Sequence, residues 1–411
     1  SSGANAAAVY GADVRTRAGS AKENRAEMSG GTVTGNVYGA ALSADNASGS
    51  VTQNTAKVSG GSIGGNVYGA SVPKTSGTAD VTQNTAEISG GSITGSVYGG
   101  QNVGTGNADQ NNVKLSGGSI AGSIYGGYAA GSGSAKDNSI TITGGSIGHD
   151  IYGGYAAGGK TTGNTVNIGD GSHALSAGTS IAGTIYGGNG ADVKDNTLNV
   201  KTNATAGNIA GFEKLQFELN GSLNSAQPML RLTNGAATTG LDWAGFEAAP
   251  MPSHVTVKTY EPYQLTLLHN SAGLNFVQGG KDTYAPIGAK ERVQGDLEFV
   301  IDTDSHAAQA RSVYLSGYQF QNNTGAAYTA ADGTHSAAWG GRTAVGNTVT
   351  NNKLTVSGGS LTDAAYGGLV ENHKRNAGGP LSTGDAVKNT VILSSGANAA
   401  AVYGADVRTR A

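Results

Sequence analysis

The chain has 411 residues, 69 of them glycine and none cysteine, with a formal charge of −3. Glycine at this abundance without a three-residue period excludes collagen, and no basic tract resembles a nucleic-acid footprint. No run of 18 apolar residues is present to span a bilayer as a helix, and the lack of cysteine suits export unfolded through an oxidising compartment.

The first residues, SSGANAAAVY, have neither the charged start nor the apolar core of a signal peptide, so the chain is expected to be a segment of something longer. From there the sequence repeats itself. Tyrosines of a Tyr-Gly pair stand at Tyr10, Tyr38, Tyr68, Tyr98, Tyr125, Tyr152, Tyr186, Tyr366 and Tyr403. An asparagine lies fourteen residues before most of them: Asn24, Asn54, Asn84, Asn111, Asn138, Asn352 and Asn389. One version of the unit reads GGSITGSVYGG, Gly90 to Gly100.

Side chains alternate along a strand, so Ile93, Gly95 and Val97 are expected on one face and Thr94, Ser96 and Tyr98 on the other. The strand before it would turn Asn84, Ala86 and Ile88 to one side, with Ser89-Gly90-Gly91 as the corner between the two strands. One such unit cannot bury its apolar face, whereas stacked copies can. The spacing therefore predicts an all-β fold, a parallel β-solenoid (β-helix) of about 27–30-residue coils, regular over residues 1–211.

Stacking would align side chains in columns. The inward columns are Met28, Val58, Ile88, Leu115 and Ile142; Val33, Ile63, Ile93, Ile120 and Ile147; and Val37, Val67, Val97, Ile124 and Ile151. The tyrosines, Tyr38, Tyr68, Tyr98, Tyr125 and Tyr152 among them, form an outward column suited to offset ring stacking or to a sugar-binding strip. Asn24, Asn54 and Asn84 read as a corner hydrogen-bond ladder. Glu27, Lys57, Glu87 and Lys114 alternate in sign, which opposes a slip of one coil.

The pattern fades after Tyr186. All six phenylalanines, both tryptophans and five of seven prolines fall in 212–341, where period-two runs continue. That region is expected to be a side domain or a set of widened coils. Its aromatic residues Trp243, Tyr260, Tyr263 and Trp339 are candidates for partner contact, or else they fill the region's own core. Solenoid coils are expected again over 342–411. Within them, residues 394–411, SSGANAAAVYGADVRTRA, repeat residues 1–18 without change, an offset of 393 residues. The simplest source is a tandem polypeptide with a 393-residue module.

The segments GNIAGFEKLQFEL (Gly207–Leu219), PMLRLTNGA and YQLTLLHN, set among SGGSIxGxVYGG units, resemble passenger regions of Gram-negative autotransporter adhesins. The resemblance implies a surface-exposed β-helical stalk secreted through an outer-membrane barrel.

Chemistry is sparse. Asp80 and Asp137 occupy different places in their units, so no column stacks two carboxylates as a polysaccharide-processing β-helix would need. The histidines (His149, His173, His254, His269, His306, His335, His373) show no ligand spacing and read as solvated loop residues. No cofactor, metal or nucleic-acid partner is expected. The expected role is structural: a module of an extracellular filament at a bacterial surface, whose partners are adjacent copies of itself and, through lateral contact or the 212–341 region, other rods, proteins or surface glycans.

Overall fold

The computed structural model of the chain describes residues 4–220, 223–249, 256–283, 289–305, 308–372 and 384–409. It is a parallel β-solenoid of about 12 turns, and the short 3-10 segment Ala330–Asp332 is the only helix among the described residues. The chain forms two compact units, one of residues 1–224, 228–250 and 269–283, the other of 225–227, 251–268 and 284–411.

In the first unit a coil is built from three strands, not two. The coil around Tyr98 runs through Val81–Thr82, Thr85–Ile93 and Val97–Asn102, each in its own sheet. Each of these three strands pairs in parallel with its equivalent one coil on: Val81 with Ala108, Ile88 with Leu115, Val97 with Ile124.

The corners differ from the expectation. Thr94–Ser96 is a turn between two strands, so Thr94, Ser96 and Tyr98 do not share a strand face. The Ser96 N–H donates 2.7 Å to Asn66 Oδ1 there, a side-chain acceptor in place of a strand partner. Ser89-Gly90-Gly91 lies within the strand Thr85–Ile93 as a bulge that shifts the pairing register, with Gly91 at a φ of +87°. The third corner precedes the asparagine. Glu23, Gln53, Gln83, Gln110, Asp137 and Asp195 each hold a φ of 54–60°, unusual for a residue with a Cβ.

The glycine after the tyrosine of a Tyr-Gly pair sets how closely two sheets approach. A Cβ on Gly69 would sit 2.3 Å from the Gly99 carbonyl oxygen and 2.7 Å from the backbone of Thr85. A side chain would force the two backbones apart.

Composition divides the chain less cleanly than expected. The long sheet of the first unit continues in register through the aromatic region: Val200 pairs with Phe217, Leu215 with Phe246, and Phe217 with Ala248. Those strands are solenoid coils with aromatic cores, the Phe217 and Phe246 rings 5.0 Å apart.

In the second unit, Lys290–Gln294, Leu297–Thr303 and Ser312–Gln319 form an antiparallel meander. Its Glu298 is fully buried. The carboxylate accepts hydrogen bonds from Thr343 Oγ1 (2.6 Å), the Ala344 N–H (3.0 Å) and Asn347 Nδ2 (2.8 Å), while burial raises its pKa. Parallel coils resume at Ala326–Tyr328, which pairs with Lys353–Val356, and at Thr334–Thr343, which pairs with Ser360–Asn372. The expected boundary at 341/342 falls inside the strand Thr334–Thr343.

Candidate functional site

The columns of like residues are the dominant feature of the molecule. Val37, Val67, Val97, Ile124 and Ile151 are paired coil to coil and completely buried. Val33, Ile63, Ile93, Ile120 and Ile147 form a second column, each 3% exposed or less. Burial of each such side chain contributes about 1.5–3 kcal/mol, so the core accumulates rung by rung.

Asparagines line one corner. The backbone N–H and Nδ2 of Asn24 both donate to Asn54 Oδ1, at 2.9 and 2.8 Å. Asn54 does the same to Asn84, Asn84 to Asn111, Asn111 to Asn138, Asn138 to Asn164 and Asn164 to Asn196. The direction never reverses: each residue donates to the one in the next coil. Asn54, Asn84, Asn164 and Asn196 are fully buried, where an unmatched amide would be costly. At Asn196 the following acceptor is Glu213 Oε2, 2.8 Å from the Asn196 N–H. A carboxylate thus ends this run, and burial raises its pKa. In the second unit Asn323 donates from its backbone to Asn352, and Asn352 donates by both groups to Asn389.

Seven tyrosines, Tyr10, Tyr38, Tyr68, Tyr98, Tyr125, Tyr152 and Tyr186, stack with centroids 4.7–4.9 Å apart and planes within 15°. Their neighbours cover the ring faces, so the strip presents edges and hydroxyls where sugar stacking wants open faces. Asn36 and Asn66 donate to the hydroxyls of Tyr38 and Tyr68 at 2.7 and 2.8 Å. Burial pushes the Tyr68 phenol up to about 12 and also raises those of Tyr98 and Tyr152. A second row, Tyr128 and Tyr155, stacks at 4.9 Å and meets the first edge-on.

Glu27, Lys57, Glu87 and Lys114 sit opposite one another in register. Of these four, among the described residues, only Glu27 and Lys57 close to an ion pair, at 3.8 Å and partly in solvent. Such a pair is worth less than about 1 kcal/mol.

Two of the candidate contact aromatics are core residues. Trp243 is 4% exposed against Phe246 and Phe276, both 5.6 Å away. Trp339 is 5% exposed beneath the Arg342 guanidinium, 4.5 Å from its ring, and Arg342 is held by Glu371 at 2.7 Å. Large indoles gain most from burial where a widened coil leaves room. Tyr260 and Tyr263 are half-buried, and Tyr260 packs 4.3 Å from the His335 ring. His149 and His173 are exposed as expected; His269 and His335 are half-buried; His254, His306 and His373 lie outside the described residues.

The left-handed residues before the asparagines, the second tyrosine row and the Asn36–Asn66 column escaped sequence reasoning. The first had a readable signal, since a polar residue or glycine precedes each ladder asparagine.

The repeated 18-residue segment occupies two settings. In the first copy Val9–Val14 pairs with the coil after it: Val9 with Val37 and Tyr10 with Tyr38. In the second copy Asn398–Tyr403 and Asp406–Thr409 pair with the coil before them: Tyr403 with Tyr366 and Val407 with Val370. One sequence therefore presents a competent edge on each side. Both copies keep the same internal ion pair, Arg15 to Asp13 at 2.8 Å and Arg408 to Asp406 at 2.7 Å. Ser43 Oγ adds a hydrogen bond to the other Asp13 oxygen, and Arg408 reaches back to the Tyr366 hydroxyl. These contacts use different atoms, so one copy could make them all. No protein-family model, curated protein or solved structure matches the chain.

Proposed function

We propose that the chain is a structural, non-enzymatic module of a long filament at a bacterial surface, an extracellular stalk of tandem copies stiffened by coil-on-coil stacking. The observation that carries this is the repeated 18-residue coil, which pairs forward in one setting and backward in the other. A coil with both edges competent is what a continuous array needs at a joint, because an open edge otherwise invites adventitious pairing. The likeness of Gly207–Leu219 to autotransporter passengers supports the location and export through an outer-membrane barrel.

A glycan- or protein-binding role for 212–341 has less support, since Trp243 and Trp339 are packed inside. The test is electron microscopy and fibre diffraction of native filaments. Diffraction should give a meridional spacing of about 4.8 Å from stacked strands. Micrographs should show a longer repeat set by one module. Filaments without that longer repeat would defeat the proposal.

A further inference from the structure

The last described coil of the second unit ends in an apolar, unpaired edge. Val387, Ile392, Leu393, Val402, Tyr403 and Val407 are each at least 40% exposed. Asn398–Tyr403 pairs on one side only. The asparagine ladder reaches Asn389, whose side-chain amide donates to the Val349 carbonyl at 2.9 Å. Among the described residues no later asparagine accepts from the Asn389 N–H. At the other end Asn24 donates forward to Asn54, and among the described residues nothing donates to Asn24 Oδ1. The start of the first unit's run thus offers an acceptor, and the end of the second unit's run a donor.

We infer that this edge is a docking surface for residues 19–43 of a further copy of the same sequence, with Tyr403 against Tyr38, Val402 against Val37, Leu393 against Met28, and Asn389 donating to Asn24. The inference rests on the tandem reading above and adds its register and joint. The first copy of the segment already has this neighbour. The Val9 N–H donates to the Asn36 carbonyl at 3.0 Å, the Thr32 N–H to the Ala4 carbonyl at 2.8 Å, and Ser43 Oγ to Asp13 Oδ1 at 2.7 Å. In the second copy the corresponding groups belong to Val402, Ala397 and Asp406. Arg408 holds Asp406 Oδ2, which leaves Oδ1 for the serine.

The rival occupant is the 1–18 segment of a separate chain, stacked on its identical twin. That would set Asp13 against Asp406 and Arg15 against Arg408, like charge on like in paired strands, which is unfavourable.

The test compares the 411-residue chain with one in which residues 1–393 are followed by a second run of residues 1–393. Hydrogen exchange is read on peptides that begin in 384–393 and extend through 403, which in the two-copy chain occur only at the joint. In the two-copy chain the outward amides of 398–403 at the joint should exchange at least about tenfold more slowly. Asn24→Ala in the second copy alone should reverse part of that protection. The same change in the first copy should leave the joint untouched, although both variants lose the side-chain bond to Asn54. If Asn24→Ala unfolds the second copy, Ser43→Ala there should give a smaller effect of the same sign. Equal exchange in the two chains, or protection indifferent to both second-copy variants, would overturn the inference. Filaments bearing the module repeat would still uphold the structural role in that case. Protection already present in the 411-residue chain and lost on dilution would instead identify the twin-on-twin contact and overturn the assignment.

Discussion

Between Val51 and Ala156 each coil fills its core mainly with aliphatic side chains set on aliphatic ones, whereas from Phe212 to Phe320 phenylalanine and tryptophan join leucine in the core. The regular coils are held by rows: every rung repeats its contacts above and below, and a single asparagine serves two coils. The aromatic stretch is held by volume. Its strands keep the parallel register where Phe217 and Phe246 stack, then give way to an antiparallel meander pinned by one buried carboxylate. Regular coils should therefore fail through backbone spacing and amide continuity. The aromatic stretch should fail through packing and local charge.

The most damaging substitution should be one that separates sheets. Gly69→Val places side-chain atoms where a Cβ alone would be 2.3 Å from a carbonyl, and should cost more than about 4 kcal/mol, read as loss of the cooperative urea transition. Gly235→Val, in the aromatic stretch with no atom within 4 Å of the new Cβ, should leave the transition within about 0.5 kcal/mol of wild type. Equal effects would erase the distinction.

Next comes Asn84→Ala. It removes the acceptor for two Asn54 donors and an amide that bonds the Val51 and Thr82 carbonyls, all at a fully buried site. A loss of about 2–3 kcal/mol by denaturant titration is expected.

In the second unit the sensitive group is Glu298. Burial holds its folded pKa above the ordinary 4.5, so the native state keeps this proton more firmly than the unfolded chain does. Its contribution is thus most favourable at low pH and declines as pH rises through about 4.5 towards the raised folded value. Glu298→Gln removes that slope. The variant should gain on wild type as pH rises above about 4.5, whatever fixed cost the altered hydrogen bonds impose. A constant offset across the range would count against the buried-acid account.

Smallest is Lys57→Glu, which puts three acids in a row on one sheet. It should destabilise by about 0.5–1 kcal/mol at low salt and recover as salt is added.

Much of this was legible in the sequence because a solenoid writes its geometry as a period. Tyr38, Tyr68 and Tyr98 fix the register, and Ile63 and Ile93 then fall inward. What the period does not encode is where the chain bends within a coil. Gly91 looked like the corner because glycine suits any unusual φ, yet it makes a bulge, and the turn is at Thr94–Ser96 through a side-chain acceptor thirty residues away. Trp339 could not be placed by composition, since an aromatic serves a binding face or a widened core equally well. Only the surrounding backbone decides, here by setting Arg342 over the ring. Glu213 replaces a ladder asparagine by function and not by residue type, so it carried no repeat signal.

The tyrosine stack has an optical consequence. Seven phenol chromophores 4.7–4.9 Å apart and nearly parallel are close enough for their transitions to couple. Near-ultraviolet circular dichroism should therefore register the intact column as a collective signal that vanishes when a coil slips, giving an unlabelled gauge of axial order.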